Sequence, residues 1–200
     1  PLNMFIRFEA CYTAMQYLSF ALAGLPYMGV GRNLAYRREL FFAAGGFKGH
    51  EHLASGDDDL FVNRAARLGR VGIRLNPLSF VYSSPKKTWQ TYYRQKRRHF
   101  STGKHYRPVH QTLLGALALS HILHYTGVVF LFVLNFSIIF ALLGYAVRMV
   151  VVMMIGSLIL SKLQHRSLRV WLPVLDAVYV VFYFLFSRSI LMNISTQRWS

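Results

Sequence analysis

The chain has 200 residues, of which 54% are hydrophobic, and 23 Lys and Arg against 7 Asp and Glu give a formal net charge of +16. The positive mean hydropathy of +0.32 argues against an ordinary soluble domain. The charge alone would fit a nucleic-acid-binding protein, but the basic residues flank long apolar runs, which favours a membrane protein. The single cysteine, Cys11, allows no intrachain disulfide and is expected to be a buried apolar residue.

The first half of the chain predicts a small mixed α/β portion over residues 27–84, followed by a basic aromatic helix. Its apolar spacing predicts helices at residues 2–25, 39–44, 60–68 and 85–102. Short apolar runs predict strands at residues 30–37, 71–75 and 80–83. The two glycines at positions 45 and 46 predict a turn between the second helix and the third.

The second half of the chain predicts about three membrane-spanning helices. Residues 108–147 contain no Lys, Arg, Asp or Glu, which is enough for one long tilted span. A second span is expected at about residues 146–161, which is short unless it begins before Arg148, and a third at residues 170–187; two or four spans remain open. Basic residues before the first span and at residues 162–169 place both segments on the cytoplasmic side, with the C-terminus on the far side.

Three consecutive aspartates, Asp57, Asp58 and Asp59, carry nearly half of the negative charge of the chain. Adjacent carboxylates repel one another, so such a cluster is favoured where a cation or a proton uses it. One of them could act as a general base or as a metal ligand at the start of the following helix. The alternative is a solvated acidic turn, or a helix N-terminus at which Asp is favoured by the backbone amides.

One face of the basic helix brings together Gln95, Arg98, His99 and Thr102, which are spaced at i, i+3, i+4 and i+7. An arginine with polar neighbours could clamp an anionic leaving group such as a diphosphate. The alternative is a juxtamembrane basic patch, formed with residues 94, 96 and 97, that contacts anionic lipid headgroups.

These motifs, in this order, resemble a known family. The segments Gly45-Gly46-Phe47, Gly56-Asp57-Asp58-Asp59-Leu60-Phe61-Val62-Asn63-Arg64 and Gln95-x-x-Arg98-His99, followed by membrane helices, are similar to the C-terminal half of a membrane-bound family 2 glycosyltransferase of the GT-A type. The resemblance implies that residues 1–107 are the C-terminal part of a cytoplasmic catalytic domain with a partial GT-A-like α/β fold. Residues 108–200 would then be the transmembrane helices that hold the enzyme in the plasma (inner) membrane.

The resemblance also implies roles for particular residues. Asp58, or with a shift of one residue Asp57, would be the base of an inverting transfer of a sugar to an acceptor hydroxyl. Gln95, Arg98 and His99 would bind the diphosphate or the acceptor, and because His99 replaces the Trp of the family motif, transfer of a single sugar is favoured over polymer synthesis. Arg32 could approach the donor, or it could be an ordinary polar residue at a strand end.

The implied partners are a nucleotide-sugar donor, a carbohydrate or lipid-linked acceptor and membrane lipids. The implied cofactor is a divalent metal, Mg²⁺ or Mn²⁺, whose ligands are expected upstream of this chain. The chain begins at Pro1 without a Met and is expected to be an N-terminally truncated fragment. No nucleic-acid partner is expected, although Gly-Asp-Asp also occurs in viral RNA polymerases. The alternative function is that of a non-enzymatic polytopic membrane protein whose basic cytoplasmic domain binds anionic lipid or a partner.

Several further polar residues are expected to have structural roles. His50 and His52 flank a glutamate, but a single histidine pair is poor support for a zinc site. His121 and His124 lie in a predicted span and are expected to pack against polar neighbours. Asp176, the only charge in residues 170–187, is expected to pair with Arg169 or to reach the membrane interface.

Overall fold

The computed structural model of the chain describes residues 1–49, 51, 53, 55–134 and 138–191. Within these residues the chain forms α-helices and short 3₁₀ turns. The α-helices are α1 (Leu2–Leu22), α2 (Arg38–Ala43), α3 (Asp59–Ala65), α4 (Trp89–Phe100), α5 (Pro108–Val133), α6 (Ile138–Lys162) and α7 (Leu172–Leu191). The first four confirm the helices predicted from the sequence, with ends that differ by a few residues. His50 and His52 lie outside the described residues.

The predicted α/β portion of GT-A type is wrong for the described part of the chain, because no strand forms there. The backbone is extended at Val30 and Leu34, as the pattern predicted, but a 3₁₀ turn at Gly31–Asn33 separates them. Extended backbone becomes a strand only when a neighbouring segment pairs with its N–H and C=O groups. The segments at residues 71–75 and 80–83 do not pair with one another or with residues 30–37, so none of them becomes a strand.

The described residues divide into two compact units. The first comprises residues 1–111 together with the chain from residue 186, and the second comprises residues 112–185. The assignment of residues 1–107 to a catalytic domain and of residues 108–200 to the membrane stays a prediction.

In the first unit, α1 packs against α4 through positions spaced four residues apart on each helix. The Phe5 ring meets Tyr92 edge to face at 6.2 Å, and both side chains are buried. One turn further along, the ammonium of Lys96 lies 2.6 Å from a carboxylate oxygen of Glu9, which is only 2% exposed. Residues at i and i+4 lie on one helical face, so the apolar contact and the ion pair hold the same two faces together. Cys11 is buried on α1, as predicted.

The short helix α3 lies at the centre of a small apolar core in the first unit. Phe61, Val62 and Ala65 are each at most 7% exposed and pack with Ala44 at the end of α2. The α2–α3 connection turns at Gly45 and Gly46, whose φ angles of 77° and 58° favour glycine. Each large apolar side chain that is buried in this way stabilises the fold by about 1.5–3 kcal/mol.

The second unit contains most of three helices that are long and apolar enough to cross a membrane. The candidate spans are Pro108–Val133, Ile138–Lys162 and Arg166–Ser187. Among the described residues, the number of candidate spans agrees with the predicted three. The second begins ten residues before Arg148 and is therefore long enough, which the shorter predicted range was not. A Cβ at Gly156 would lie 3.1 Å from a methyl group of Leu172, so glycine permits a close approach of α6 and the start of α7.

One buried carboxylate ties the three spans together within the second unit. Asp176 is 4% exposed and accepts two hydrogen bonds from the guanidinium of Arg148, at 2.9 Å and 3.1 Å. The Tyr125 hydroxyl donates to the same carboxylate at 2.7 Å, and His121 lies 2.9 Å from the backbone oxygen of Asp176. The expected pairing of Asp176 with Arg169 is wrong, because Arg169 instead donates to the carbonyl of Ser157. A charge among apolar helices is tolerated when it is paired in this manner.

Candidate functional site

The acidic cluster lies at the N-terminus of α3, and the local sequence explains why the helix begins there. Gly56 has a φ of 108°, and a Cβ at this position would lie 2.8 Å from the Leu60 side chain, so only glycine fits. Asp58 is the N-cap residue, and its Oδ1 accepts a hydrogen bond from the backbone N–H of Asp59 at 2.9 Å. The side chain of the residue at this position satisfies a backbone donor that the helix leaves open.

The carboxylate of Asp58 is held by two backbone donors from different segments. Besides the N–H of Asp59, the N–H of Gly31 donates to Oδ2 at 2.6 Å, across 27 residues of sequence. A Cβ at Gly31 would lie 3.2 Å from the same oxygen, so the glycine allows this close approach. Each carboxylate oxygen has a second lone pair, so both can still accept a proton or a further hydrogen bond. The structure therefore fixes the direction of this side chain.

The neighbours of Asp58 in the cluster have opposite environments. Asp57 is exposed and has no side-chain partner among the described residues. Asp59 is 8% exposed, and its Oδ2 accepts a hydrogen bond from the hydroxyl of Tyr106 at 2.9 Å. Burial, and secondarily the charge of Asp58, raise the pKa of Asp59 to about 7. Asp59 therefore exchanges its proton near neutral pH, which is a property of many functional sites.

Helix α4 carries the predicted anion-binding residues, and the structure brings one of them near the acidic cluster. The charges of Asp58 and Arg32 act on the ring of His99. The His99 side chain keeps contact with solvent, yet partial desolvation and then the cations of Lys96 and Arg98 lower its pKa to about 4. His99 is therefore neutral at pH 7, and it can form hydrogen bonds with a substrate without adding charge.

The other predicted residues on α4 are positioned by the helix itself. Thr88 caps its N-terminus by accepting from the N–H of Thr91 at 3.2 Å. Gln95 and Arg98 are half-buried, and Arg98 directly precedes His99 in the sequence. The C-terminal end is joined to the acidic cluster by Thr102, whose hydroxyl lies 2.7 Å from the carbonyl of His99 and 3.3 Å from Oδ2 of Asp59.

Arg32 does not lie at a strand end, since residues 31–33 form a 3₁₀ turn. Its guanidinium contacts the hydroxyl of Ser83, and the side chain is exposed. It follows Gly31, the residue that donates to Asp58, so a single turn carries both the backbone donor to Asp58 and a cation whose charge acts on the ring of His99. The structure thus brings Asp58, His99 and Arg32 to the same region of the first unit.

The proposed lipid-binding patch on α4 is smaller than the sequence suggested. Lys96 is engaged in the ion pair with the buried Glu9, and Glu9 is also the acceptor for the hydroxyl of Thr13 at 3.0 Å. Only Arg94 and Arg97 of the three cations are exposed. Lys96 is thus part of the packing of α1 on α4 rather than of a solvent-facing patch.

The divalent metal that the resemblance implies stays a prediction, because its ligands are expected upstream of this chain and the described residues hold no site for it. They contain no group of three His, Cys, Asp or Glu side chains that could hold a metal ion. Within the acidic cluster, Asp58 accepts from two backbone N–H groups and Asp59 accepts from Tyr106, whereas Asp57 has no such partner in this part of the chain. These residues supply no ligand set for Mg²⁺ or Mn²⁺.

Two residues that the sequence did not single out complete the site. Tyr106 is buried and donates to Asp59, and Gly31 donates to Asp58. Both lie in connections rather than in periodic segments, so no hydrophobic spacing points to them. A third, Asn63, is buried and donates to the carbonyl of Tyr27 at 3.0 Å; an Asn in the middle of an apolar run was the only available signal for it.

The fold and the site define a helical protein with three candidate membrane spans and a carboxylate site in its first unit. The family model described as glycosyl transferase family group 2 matches residues 3–194. The chain belongs to this family, which confirms the resemblance noted in the sequence. No curated protein and no solved structure gives a significant match to the chain.

Proposed function

We propose that the chain forms the acceptor-activating part of a membrane-associated glycosyltransferase that moves a sugar from a nucleotide-sugar donor to an acceptor hydroxyl with inversion. The family supports glycosyl transfer with a nucleotide-sugar donor. The observation that carries the finer proposal is the carboxylate of Asp58, which two backbone N–H groups hold in one direction beside Arg32 and His99. A general base has to be oriented toward one proton, and the two backbone hydrogen bonds give this carboxylate a fixed orientation.

In the proposed reaction, the O–H bond of the acceptor breaks and its proton passes to a carboxylate oxygen of Asp58. The acceptor oxygen forms a bond to the anomeric carbon of the donor from the face opposite the leaving group. The bond from that carbon to the diphosphate breaks, and the nucleoside diphosphate leaves with the electron pair. Arg98 and Arg32 stabilise the negative charge on the leaving group, while Gln95 and neutral His99 orient the substrates through hydrogen bonds. No step in this scheme passes through a metal.

The proposed location is the cytoplasmic face of the plasma (inner) membrane. The three candidate spans support membrane association, and the basic residues that flank them support a cytoplasmic first unit. The proposed acceptor is a carbohydrate or a lipid-linked carbohydrate, because a site so close in sequence to a span would meet acceptors held at the membrane. Transfer of a single sugar follows from His99 in place of the aromatic Trp of the family motif.

The test replaces one carboxylate at a time and measures release of nucleoside diphosphate from a panel of nucleotide sugars by membranes that contain the protein. We expect Asp58→Asn to lower turnover by about 10²–10⁴-fold, the usual contribution of a general base. The matched control is Asp57→Asn, which removes the same charge from the neighbouring residue and should retain most of the activity. Full activity of Asp58→Asn with loss of activity in Asp57→Asn would transfer the role to Asp57. Full activity of both variants would refute the proposed mechanism.

A further inference from the structure

A second site in the first unit lies among basic residues that the proposed reaction does not use. It is a pocket of about 330 Å³ next to α3. Its cationic lining residues are Lys48, Arg64, Arg67 and Arg107, joined by His105. No acidic residue lines it. The pocket therefore concentrates positive charge, and such a concavity attracts anions.

The two half-buried arginines of the pocket, Arg64 and Arg107, contact neutral groups. Arg64 donates to the backbone carbonyl of Lys48 at 2.7 Å and also to that of Gly46. Arg107 lies 3.1 Å from Nε2 of His110. These contacts orient both guanidinium groups but do not neutralise their charge, since neutral oxygens and nitrogens carry no counter-charge.

No carboxylate among the described residues pairs with the four pocket cations. Two carboxylates of the described residues, those of Glu9 and Asp176, instead pair with Lys96 and Arg148. In addition, the Nε atoms of Arg64 and Arg107 are buried and have no hydrogen-bond partner in the described residues. A buried charged donor without a partner is rare in native structures, so these two guanidinium groups keep hydrogen-bonding capacity that the described residues do not use.

The chemistry of the lining fits a phosphate. Guanidinium groups match the oxygens of a phosphate through paired N–H donors, and lysine adds a point charge. The sequence identifies its source, because Arg107 is the residue directly before Pro108, where the first candidate span begins. Lipid phosphates lie at the depth at which a helix enters the bilayer. We propose that this pocket binds the phosphate headgroup of an anionic membrane lipid.

The experiment uses the full chain, purified in a neutral detergent, and counts bound lipids by native mass spectrometry. The probes are phosphatidylglycerol, phosphatidylcholine and inorganic phosphate. The test variant is Lys48→Gln with Arg67→Gln, because both side chains are exposed and neither is held by a hydrogen bond of the described structure. The matched control is Arg94→Gln with Arg97→Gln, which removes the same charge from exposed positions on α4, outside the pocket.

We expect the wild type to bind phosphatidylglycerol in preference to phosphatidylcholine. Each removed cation should weaken binding of phosphatidylglycerol by roughly fivefold, so the double pocket variant should bind it about 25-fold more weakly. The control should bind as the wild type does. Equal losses in both double variants would mean general electrostatic attraction and would overturn the proposal, as would unchanged binding in the pocket variant. Competition by inorganic phosphate at the same concentration as the lipid would also overturn it, since the ligand would then be free phosphate. None of these results depends on sugar transfer.

Discussion

The replacement Asp59→Asn tests the buried carboxylate at the start of α3. The Asn side chain keeps an oxygen that can accept from Tyr106, so the hydrogen bond that the structure shows at 2.9 Å can persist. What the variant removes is the ionisation of this residue. The folded pKa of Asp59 is raised by burial to about 7 from 3.8. Between these two values the folded chain holds a proton that the unfolded chain has already released.

The sign of the effect follows from proton linkage. Because the folded state binds the proton more tightly, the contribution of Asp59 to the free energy of unfolding falls as pH rises toward the folded pKa of about 7. Two pH units separate pH 5 from that pKa, and at ~1.4 kcal/mol per unit the wild type should lose about 3 kcal/mol between pH 5 and pH 8. The Asp59→Asn variant should lack this part of the pH dependence of its free energy of unfolding. His99 acts in the opposite direction below its ordinary pKa, since its folded pKa is lowered to about 4, so only the difference between the two proteins isolates Asp59.

The measurement is thermal or denaturant unfolding in detergent, followed by circular dichroism at pH 5 and at pH 8. Asp57→Asn serves as the control, because Asp57 is exposed and its removal should leave the pH profile parallel to that of the wild type. We expect Asp59→Asn to gain stability relative to the wild type as pH rises. Parallel profiles for Asp59→Asn and the wild type would falsify the argument that Asp59 is held protonated in the fold.

Three further predictions follow from single contacts. Lys96→Met should destabilise the first unit by about 3–5 kcal/mol because it leaves Glu9 buried and unpaired, and adding Glu9→Gln should recover much of the loss in a double-mutant cycle of unfolding. Arg148→Leu should lower the melting temperature of the detergent-solubilised protein, and Arg148→Leu with Asp176→Leu should restore it; if the single variant melts as the wild type does, the ion pair is not structural. Gly31→Ala should reduce nucleoside diphosphate release without changing the melting temperature, since its Cβ would lie 3.2 Å from the carboxylate that its N–H holds; unchanged release would mean that this direction is not needed.

The sequence predicted the helices well and the strands poorly, for a physical reason. A helix satisfies its backbone groups within the segment, so local spacing is enough to predict α1, α3 and α4. A strand needs a partner, and the apolar runs at residues 71–75 and 80–83 have none among the described residues. Extended backbone was therefore foreseen correctly at Val30, Leu34 and Phe80, whereas formation of a sheet is not a local property.

The site was predicted in part for a similar reason. A cluster of like charges, such as the three consecutive aspartates, is visible in the sequence before the fold is known. The hydrogen bond between Asp59 and Tyr106 joins residues 47 positions apart, and the ion pair of Glu9 and Lys96 joins residues 87 positions apart. No local sequence pattern predicts either contact. The expected pairing of Asp176 with a basic residue nearby in sequence failed in the same way, since its partner lies 28 residues before it on another helix.

These long-range contacts explain how a short helix can hold Asp58, the proposed base, in a defined direction. Helix α3 has only seven residues, which is too few to be stable in isolation. Its apolar face is buried. Asp58 at its N-cap accepts a hydrogen bond from Gly31, and Asp59 accepts one from Tyr106, which lies beyond the end of α4. Helix α4 is itself fixed to α1 by the ion pair of Lys96 with the buried Glu9. Thr102 at the end of α4 is buried beside Asp59, so buried contacts also connect the acidic cluster to α4. The carboxylate of Asp58, which we propose as the proton acceptor, therefore keeps its direction without depending on the rigidity of its own helix.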